Sequence, residues 1–152
     1  MSAAAELRES HAGVHVAGFS MIEMLIVLAI IAILGTIAYP SYKDKVYSGR
    51  RSDARTALSD LATRLESYYA KTNTYSTATI GTGNVTDVLP VAATSQGYYT
   101  LAIDADNTTA TTYSITATPT GVQAGDTRCL TLIINSLNVR TVKGTAPATS
   151  CW

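Results

Sequence analysis

The pattern of apolar and polar positions divides the chain into a long apolar run near its start and a mixed remainder. From Met24 to Tyr42 there are 19 residues without a charge, and Leu, Ile, Val and Ala fill most of them. As a helix this run would be about 28 Å long, close to the hydrocarbon thickness of a bilayer. Because the run has no polar face, it predicts a membrane-spanning helix rather than the core helix of a soluble protein.

A second helical pattern follows Pro40, whose missing N–H is expected to bend the helix. Over residues 41–71, apolar side chains recur at steps of three and four, which forms one stripe along a helix. Charged side chains, among them Arg51 and Asp53, fall largely off this stripe. The stripe therefore predicts packing on the protein's own sheet rather than a groove for a partner. It consists of Ala54, Ala57, Leu58, Leu61, Ala62, Leu65, Tyr68 and Tyr69.

The second half of the chain has the pattern of a connection followed by short strands. Residues 72–97 show no period and are rich in Thr, Gly, Asn and Ser, which predicts an irregular connection. Short β-type runs then occupy residues 98–104, 112–119, 129–135 and 139–142, separated by turn residues. Sequential hairpins of this kind predict an antiparallel sheet of about four strands, with one face over the helix stripe. The predicted fold class is therefore α+β.

Composition narrows the classes of protein that fit. The 152 residues suit one domain of ordinary size. Because 47% of them are hydrophobic and only 14% are charged, a disordered chain is excluded. The 11 basic and 11 acidic side chains cancel, which argues against a general basic coat for nucleic acid. Nine Tyr and abundant Thr indicate a β-rich extracytoplasmic surface.

The sequence carries no pattern of an enzyme or a metal site. No His lies after residue 15, and neither a G-x-S-x-G nucleophile motif nor a phosphate-binding glycine loop occurs. Asp104, Asp106 and Asp126 are too scattered to predict a calcium site, although Asp104 and Asp106 with Asn107 invite a metal titration. We therefore expect no catalytic activity, no metal and no cofactor.

The position of an acidic residue, Glu23, at the edge of the apolar run needs an explanation. Glu23 directly precedes the run, and a carboxylate inside a bilayer costs at least a few kcal/mol. One interpretation places Glu23 at the hydrated headgroup boundary. The other pairs it with a cation that is supplied when the chain assembles.

The start of the chain resembles that of a type IV prepilin. The resemblance is carried by G-F-S-M-I-E at residues 18–23, the apolar run, and the Tyr39-Pro40 pair. It implies that a prepilin peptidase cuts between Gly18 and Phe19 and methylates the new amino terminus of Phe19. It also makes Glu23 the acid that meets the positive amine of Phe19 on a neighbouring subunit inside a filament.

The two cysteines mark the C-terminal region. In an exported domain, Cys129 and Cys151 are expected to form a disulfide rather than to remain free thiols. Closing this loop would contribute roughly 3 kcal/mol in the chain-entropy model. The ending Cys151-Trp152, with QGYYTLAI at 96–103 and LIINSLNVRT at 132–141, is similar to PilE-type and ComP-type minor pilins.

The resemblance implies the type IV pilin fold and a structural role as a minor subunit of a type IV pilus, which supports pilus biogenesis, twitching motility, adhesion or DNA uptake. The precursor is expected in the bacterial inner membrane as a single-pass protein with its head in the periplasm, and the assembled subunit in the extracellular pilus. Its expected partners are other pilin subunits, the prepilin peptidase, the inner-membrane assembly machinery and the lipid bilayer. The implied division is a leader peptide at residues 1–18, a transmembrane and filament-core helix at 19–42, the amphipathic helix of the head at 43–71, a helix-to-sheet loop at 72–97, and the sheet with its disulfide-bounded loop at 98–152.

Two alternative functions remain open. The first is a surface DNA receptor of the ComP type, for which Arg128, Arg140 and Lys143 are the candidate phosphate contacts. Against it stands the interpretation of these three cations as solvated surface charges. The second is a type II secretion pseudopilin, whose N-terminal plan is the same.

Overall fold

The computed structural model describes residues 18–152. Most of the predicted leader therefore lies outside the described residues, and only its last residue, Gly18, is seen. The described residues form two units, which divide between Tyr39 and Pro40.

The first unit contains the start of a single long helix, α1, which spans Met21–Thr72. Up to Tyr39, every described side chain of this unit is exposed. The helix is long enough and apolar enough to cross a membrane, as the run predicts. Pro40 does not end the helix.

In the second unit, α1 buries one face. Leu58, Leu61 and Leu65 are fully buried, and they pack in one core with residues of the sheet, which confirms the predicted role of the stripe. The placement of Arg51 off the stripe was wrong: it is buried on the same side of the helix as the stripe. Asp53 lies off the stripe, as predicted, but it is also buried, and it accepts a hydrogen bond from the Ser95 hydroxyl (2.9 Å).

The segment predicted as an irregular connection contains two short strands, β1 at Thr79–Ile80 and β2 at Asp87–Leu89, which pair in parallel. Parallel strands usually need a long crossover. Here the Asp87 carboxylate holds the short link, because it accepts bonds from the hydroxyls of Thr79 (2.6 Å) and Thr82 (2.8 Å) and from the Thr82 and Gly83 amides. The hydroxyl bond from Thr79 is the main reason why the pKa of Asp87 is lowered.

The remaining strands form one antiparallel sheet whose spatial order is the chain order, which confirms the predicted meander. They are β3 (Tyr99–Ile103), β4 (Ser114–Pro119), β5 (Leu132–Asn135) and β6 (Arg140–Val142).

One strand begins later than its apolar pattern predicts. The run at 129–135 becomes a strand only from Leu132. The reason is the backbone of Leu130, whose φ of 48° is incompatible with extended chain. The amide of Leu130 turns back to the carbonyl of Asp126 (2.9 Å), and Asp126 is buried.

Candidate functional site

The residues of the predicted processing motif lie at the beginning of α1. Gly18, Phe19 and Ser20 precede the helix, and Phe19 is 75% exposed. Glu23 occupies the first helical turn, where the unpaired backbone N–H groups favour a negative charge. Within residues 18–152, Glu23 has neither an ion pair nor a side-chain hydrogen bond. Its carboxylate is thus not engaged by any described residue of this chain.

The helical segment behind Glu23 offers an apolar surface on all sides. Its large side chains are exposed to about half or more of their area, from Ile37 at 72% to Val27 at 44%. The hydroxyl of Thr36 donates to the carbonyl of Ile33 (2.7 Å), so it is not a free donor on this surface. Such a surface is stable only in lipid or against other apolar helices.

The predicted disulfide between Cys129 and Cys151 is present, with the two Cα atoms 5.7 Å apart and both residues buried. Next to the disulfide, residues 144–146 pack against the backbone of residues 128 and 129. The amide of Gly144 donates to Cys129 O (3.1 Å), and that of Ala146 donates to Arg128 O (2.8 Å). A side chain at Gly144 would collide with the Arg128 carbonyl, so only glycine allows this approach.

The three predicted DNA contacts have different surroundings. The guanidinium of Arg128 lies 3.0 Å from the carboxylate of Asp44 on α1, and this pair is half exposed. The guanidinium of Arg140 lies over the ring of Trp152, 5.3 Å from its centre. Lys143 is exposed and has no ion-pair partner among the described residues. No hydrogen bond or ion pair in the described part of the chain joins these three side chains.

A buried polar cluster was missed by the sequence interpretation. Arg51 makes two bonds to Asp126: Nε to Oδ2 at 2.6 Å and Nη2 to Oδ1 at 3.0 Å. The fully buried Gln123 donates from Nε2 to the Tyr99 hydroxyl (2.9 Å). The bond to Asp126 raises the pKa of Arg51, and burial raises the pKa of Tyr99. The cluster ties α1 to the segment before the disulfide.

The acids that invited a metal titration do not converge. Asn107 donates to Asp104 Oδ2 (2.9 Å), and Asp104 is half-buried whereas Asp106 is exposed. In the part of the chain that the structure covers, no three His, Cys, Asp or Glu residues are placed to hold a metal ion.

Two protein families match this chain, and their matches divide it at the same residue as its structure does. The family described as "Prokaryotic N-terminal methylation motif" matches residues 15–39. The family described as "Type IV minor pilin ComP, DNA uptake sequence receptor" matches residues 40–133, which is more than half of the chain. The boundary between the two matches coincides with the boundary between the two structural units.

Curated relatives are pilus proteins. The chain is 39% identical over 59 residues to the type IV major pilin protein PilA of Myxococcus xanthus (strain DK1622), which covers 39% of this chain and 27% of that protein. It is 33% identical over 82 residues to the fimbrial protein EcpC of Eikenella corrodens, which covers 54% and 49% of the two chains. It is 44% identical over 48 residues to a fimbrial protein of Moraxella nonliquefaciens, which covers 32% and 31%.

The chain thus spans less than half the length of each of these relatives. The helix, the four-stranded antiparallel sheet and the C-terminal disulfide are the type IV pilin fold. On the match over residues 40–133, the chain belongs to the ComP family of type IV minor pilins.

Proposed function

We propose that this chain is a non-catalytic minor subunit of a type IV pilus. Its precursor waits in the bacterial inner membrane as a single-pass protein with the head in the periplasm, and it then enters the extracellular pilus. The observation that carries this proposal is the helical surface up to Tyr39, which is apolar and exposed on all sides. Moving this surface from lipid into a bundle of pilin helices keeps it out of water at every stage.

The proposed processing follows from the motif at the start of this helix. Residues 1–18 are the leader, the prepilin peptidase cuts between Gly18 and Phe19, and Phe19 is then methylated; the assembly machinery extracts the product. Residues 19–42 form the filament core, and the head comprises residues 43–152. The match of the methylation motif to residues 15–39 supports this assignment.

The proposed role of Glu23 is to guide subunit register. Its carboxylate is exposed and unpaired within the described residues, yet a charge enclosed among apolar helices is costly. The positive amine of Phe19 on a neighbouring subunit would neutralise it, and both charges would be paired only in the correct register.

The test compares Glu23→Val with Asp60→Asn, an acid on the exposed side of the same helix. We expect Glu23→Val to reduce the amount of subunit in sheared pili by about tenfold or more, while Asp60→Asn has no effect. Near-UV circular dichroism should show an unchanged head in both variants, and mass measurement should show an N-terminal methylated Phe19. Normal incorporation of Glu23→Val would refute the pairing role.

A DNA receptor is the second candidate, because the family description of residues 40–133 names one. Its support in the structure is the exposed Lys143 and the Arg140–Trp152 pair, both within the disulfide-bounded region. Arg128 is a weaker candidate because Asp44 already neutralises it. The same family match and the disulfide support a pilus subunit over a type II secretion pseudopilin.

DNA binding is tested by titrating duplex DNA into the full chain in uncharged detergent micelles at two salt concentrations. Each lost phosphate contact lowers the salt slope by about one unit. We therefore expect Lys143→Gln and Arg140→Gln to weaken binding and flatten its salt dependence, whereas Lys71→Gln on α1 leaves both unchanged. Binding that is absent, or insensitive to salt, would end this candidate.

A further inference from the structure

A polar cleft of about 420 Å³ opens beside the disulfide. One wall is the part of α1 that follows Pro40, and the other is the chain around the two cysteines. Within the described residues it is distinct from the surface that carries Arg140 and Lys143. Its polar lining consists of Ser41, Asp44, Lys45, Ser48, Arg128 and Ser150.

The charges in this cleft leave one cation uncompensated. Asp44 and Arg128 neutralise each other. Arg51 also borders the cleft, but it is buried against Asp126. Lys45 is exposed, and no acid among residues 18–152 lies in ion-pair contact with it. The cleft therefore has a net positive charge that comes from Lys45.

The serine hydroxyls of the cleft are hydrogen-bond donors that no residue among 18–152 satisfies. The hydroxyls of Ser41, Ser48 and Ser150 make no hydrogen bond to any described residue. The ion pair with Asp44 uses only one nitrogen of Arg128, which leaves other N–H groups of this guanidinium to donate. An ammonium, a guanidinium and several hydroxyls together fit the oxygens of a phosphate group.

The place of the cleft in the sequence indicates which phosphate reaches it. Ser41 comes two residues and Lys45 six residues after Tyr39, the last residue of the apolar unit. Residues that follow a membrane-spanning run so closely belong to the headgroup layer, where Tyr side chains and cations are typical. Tyr42 and Tyr47 flank this part of α1. Duplex DNA would instead need several uncompensated cations, and the cleft has one.

We propose that this cleft binds the phosphate headgroup of an anionic phospholipid while the subunit is held in the membrane. The proposal rests on the membrane-anchored precursor proposed above. It adds that the head itself holds a lipid, which the subunit must release before it enters the filament.

The test uses the full chain in maltoside micelles, which contain no phosphate, and follows backbone amide shifts of Ser48, Cys129 and Ser150 by NMR. Four probes are added separately: dihexanoyl phosphatidylglycerol, dihexanoyl phosphatidylcholine, inorganic phosphate and a short DNA duplex. We expect saturable shifts with phosphatidylglycerol, and weaker binding of the other three probes. Lys45→Gln should weaken phosphatidylglycerol binding about fivefold, which corresponds to ~1 kcal/mol per basic residue at an anionic surface.

Lys71→Gln is the matched control, because Lys71 is an exposed lysine of the same helix outside the cleft. Equal affinity for the two phospholipids, tighter binding of inorganic phosphate or DNA, or an equal loss in Lys71→Gln would each overturn the proposal. Membrane anchoring is tested separately, by co-sedimentation of the full chain with phosphatidylcholine vesicles. Failure to sediment would refute the anchored precursor, whereas loss of the NMR shifts alone would refute the cleft.

Discussion

The buried ion pair between Arg51 and Asp126 predicts a large effect from a small substitution. The two residues are only 6% and 2% exposed, and the Arg51 guanidinium makes two bonds to the carboxylate. Asp126→Asn preserves the shape of the side chain but leaves the charge of Arg51 buried without a counter-ion. Removing one partner of a buried pair costs about 3–5 kcal/mol. For a head of this size, that lowers the midpoint of thermal unfolding by about 10–20 °C.

Thermal unfolding of the full chain in detergent micelles, followed by near-UV circular dichroism, measures this effect. Asp60→Asn is the control: Asp60 and Arg64 form a pair at a similar distance, 2.7 Å, but both side chains are about half exposed. Exposed pairs contribute roughly 0–1 kcal/mol, so this variant should shift the midpoint by only a few degrees. The double change Arg51→Met with Asp126→Leu removes both charges and should regain much of the lost stability. Equal shifts for Asp126→Asn and Asp60→Asn would refute the reasoning.

Three further predictions concern the loops around the sheet. Replacing Cys129 and Cys151 by Ser should lower the free energy of unfolding by about 3 kcal/mol, because the disulfide closes a loop across 22 positions; urea unfolding measures this. Gly144→Ala should destabilise the head, because the new methyl group meets the Arg128 carbonyl; a midpoint unchanged within error would contradict the contact. The pKa of Asp87 is lowered in the folded head, so the stability that its ionised form contributes is present above its ordinary pKa and is lost as the pH falls through the lowered value. Acid should therefore shift the amide resonances of the loop around Asp87, and Asp87→Asn should abolish this shift.

Much of the fold is predictable from the sequence, because its main elements are local periodicities. The apolar run and the stripe around Leu58 repeat with the helical period, and the strands alternate. The parallel pair β1–β2 is not predictable in this way, since its strands are two and three residues long. What holds it is the Asp87 carboxylate, and a single acid in a Thr-rich segment has no periodic signature.

The pairing of charged residues is a second feature that the sequence alone does not predict. Arg51 lies three residues before Ala54, so extending the stripe by one turn would have predicted a buried position there. Its partner lies 75 residues further along the chain, and no pattern in one sequence connects the two. Likewise, Arg128 meets Asp44 across 84 residues. Such pairings depend on how the elements pack, which local patterns do not specify.

The distance along the chain between Arg51 and Asp126 also constrains when the head can fold. A chain that emerges with its N-terminus first presents the helical stripe before any of β3 to β6 has appeared. Contacts between residues so far apart form slowly, because a long loop must close first. Until the segment around Asp126 follows, the nascent stripe stays open to aggregation or to a chaperone. A chain that stalls before that point would be left without a folded head, whatever the quality of its helix.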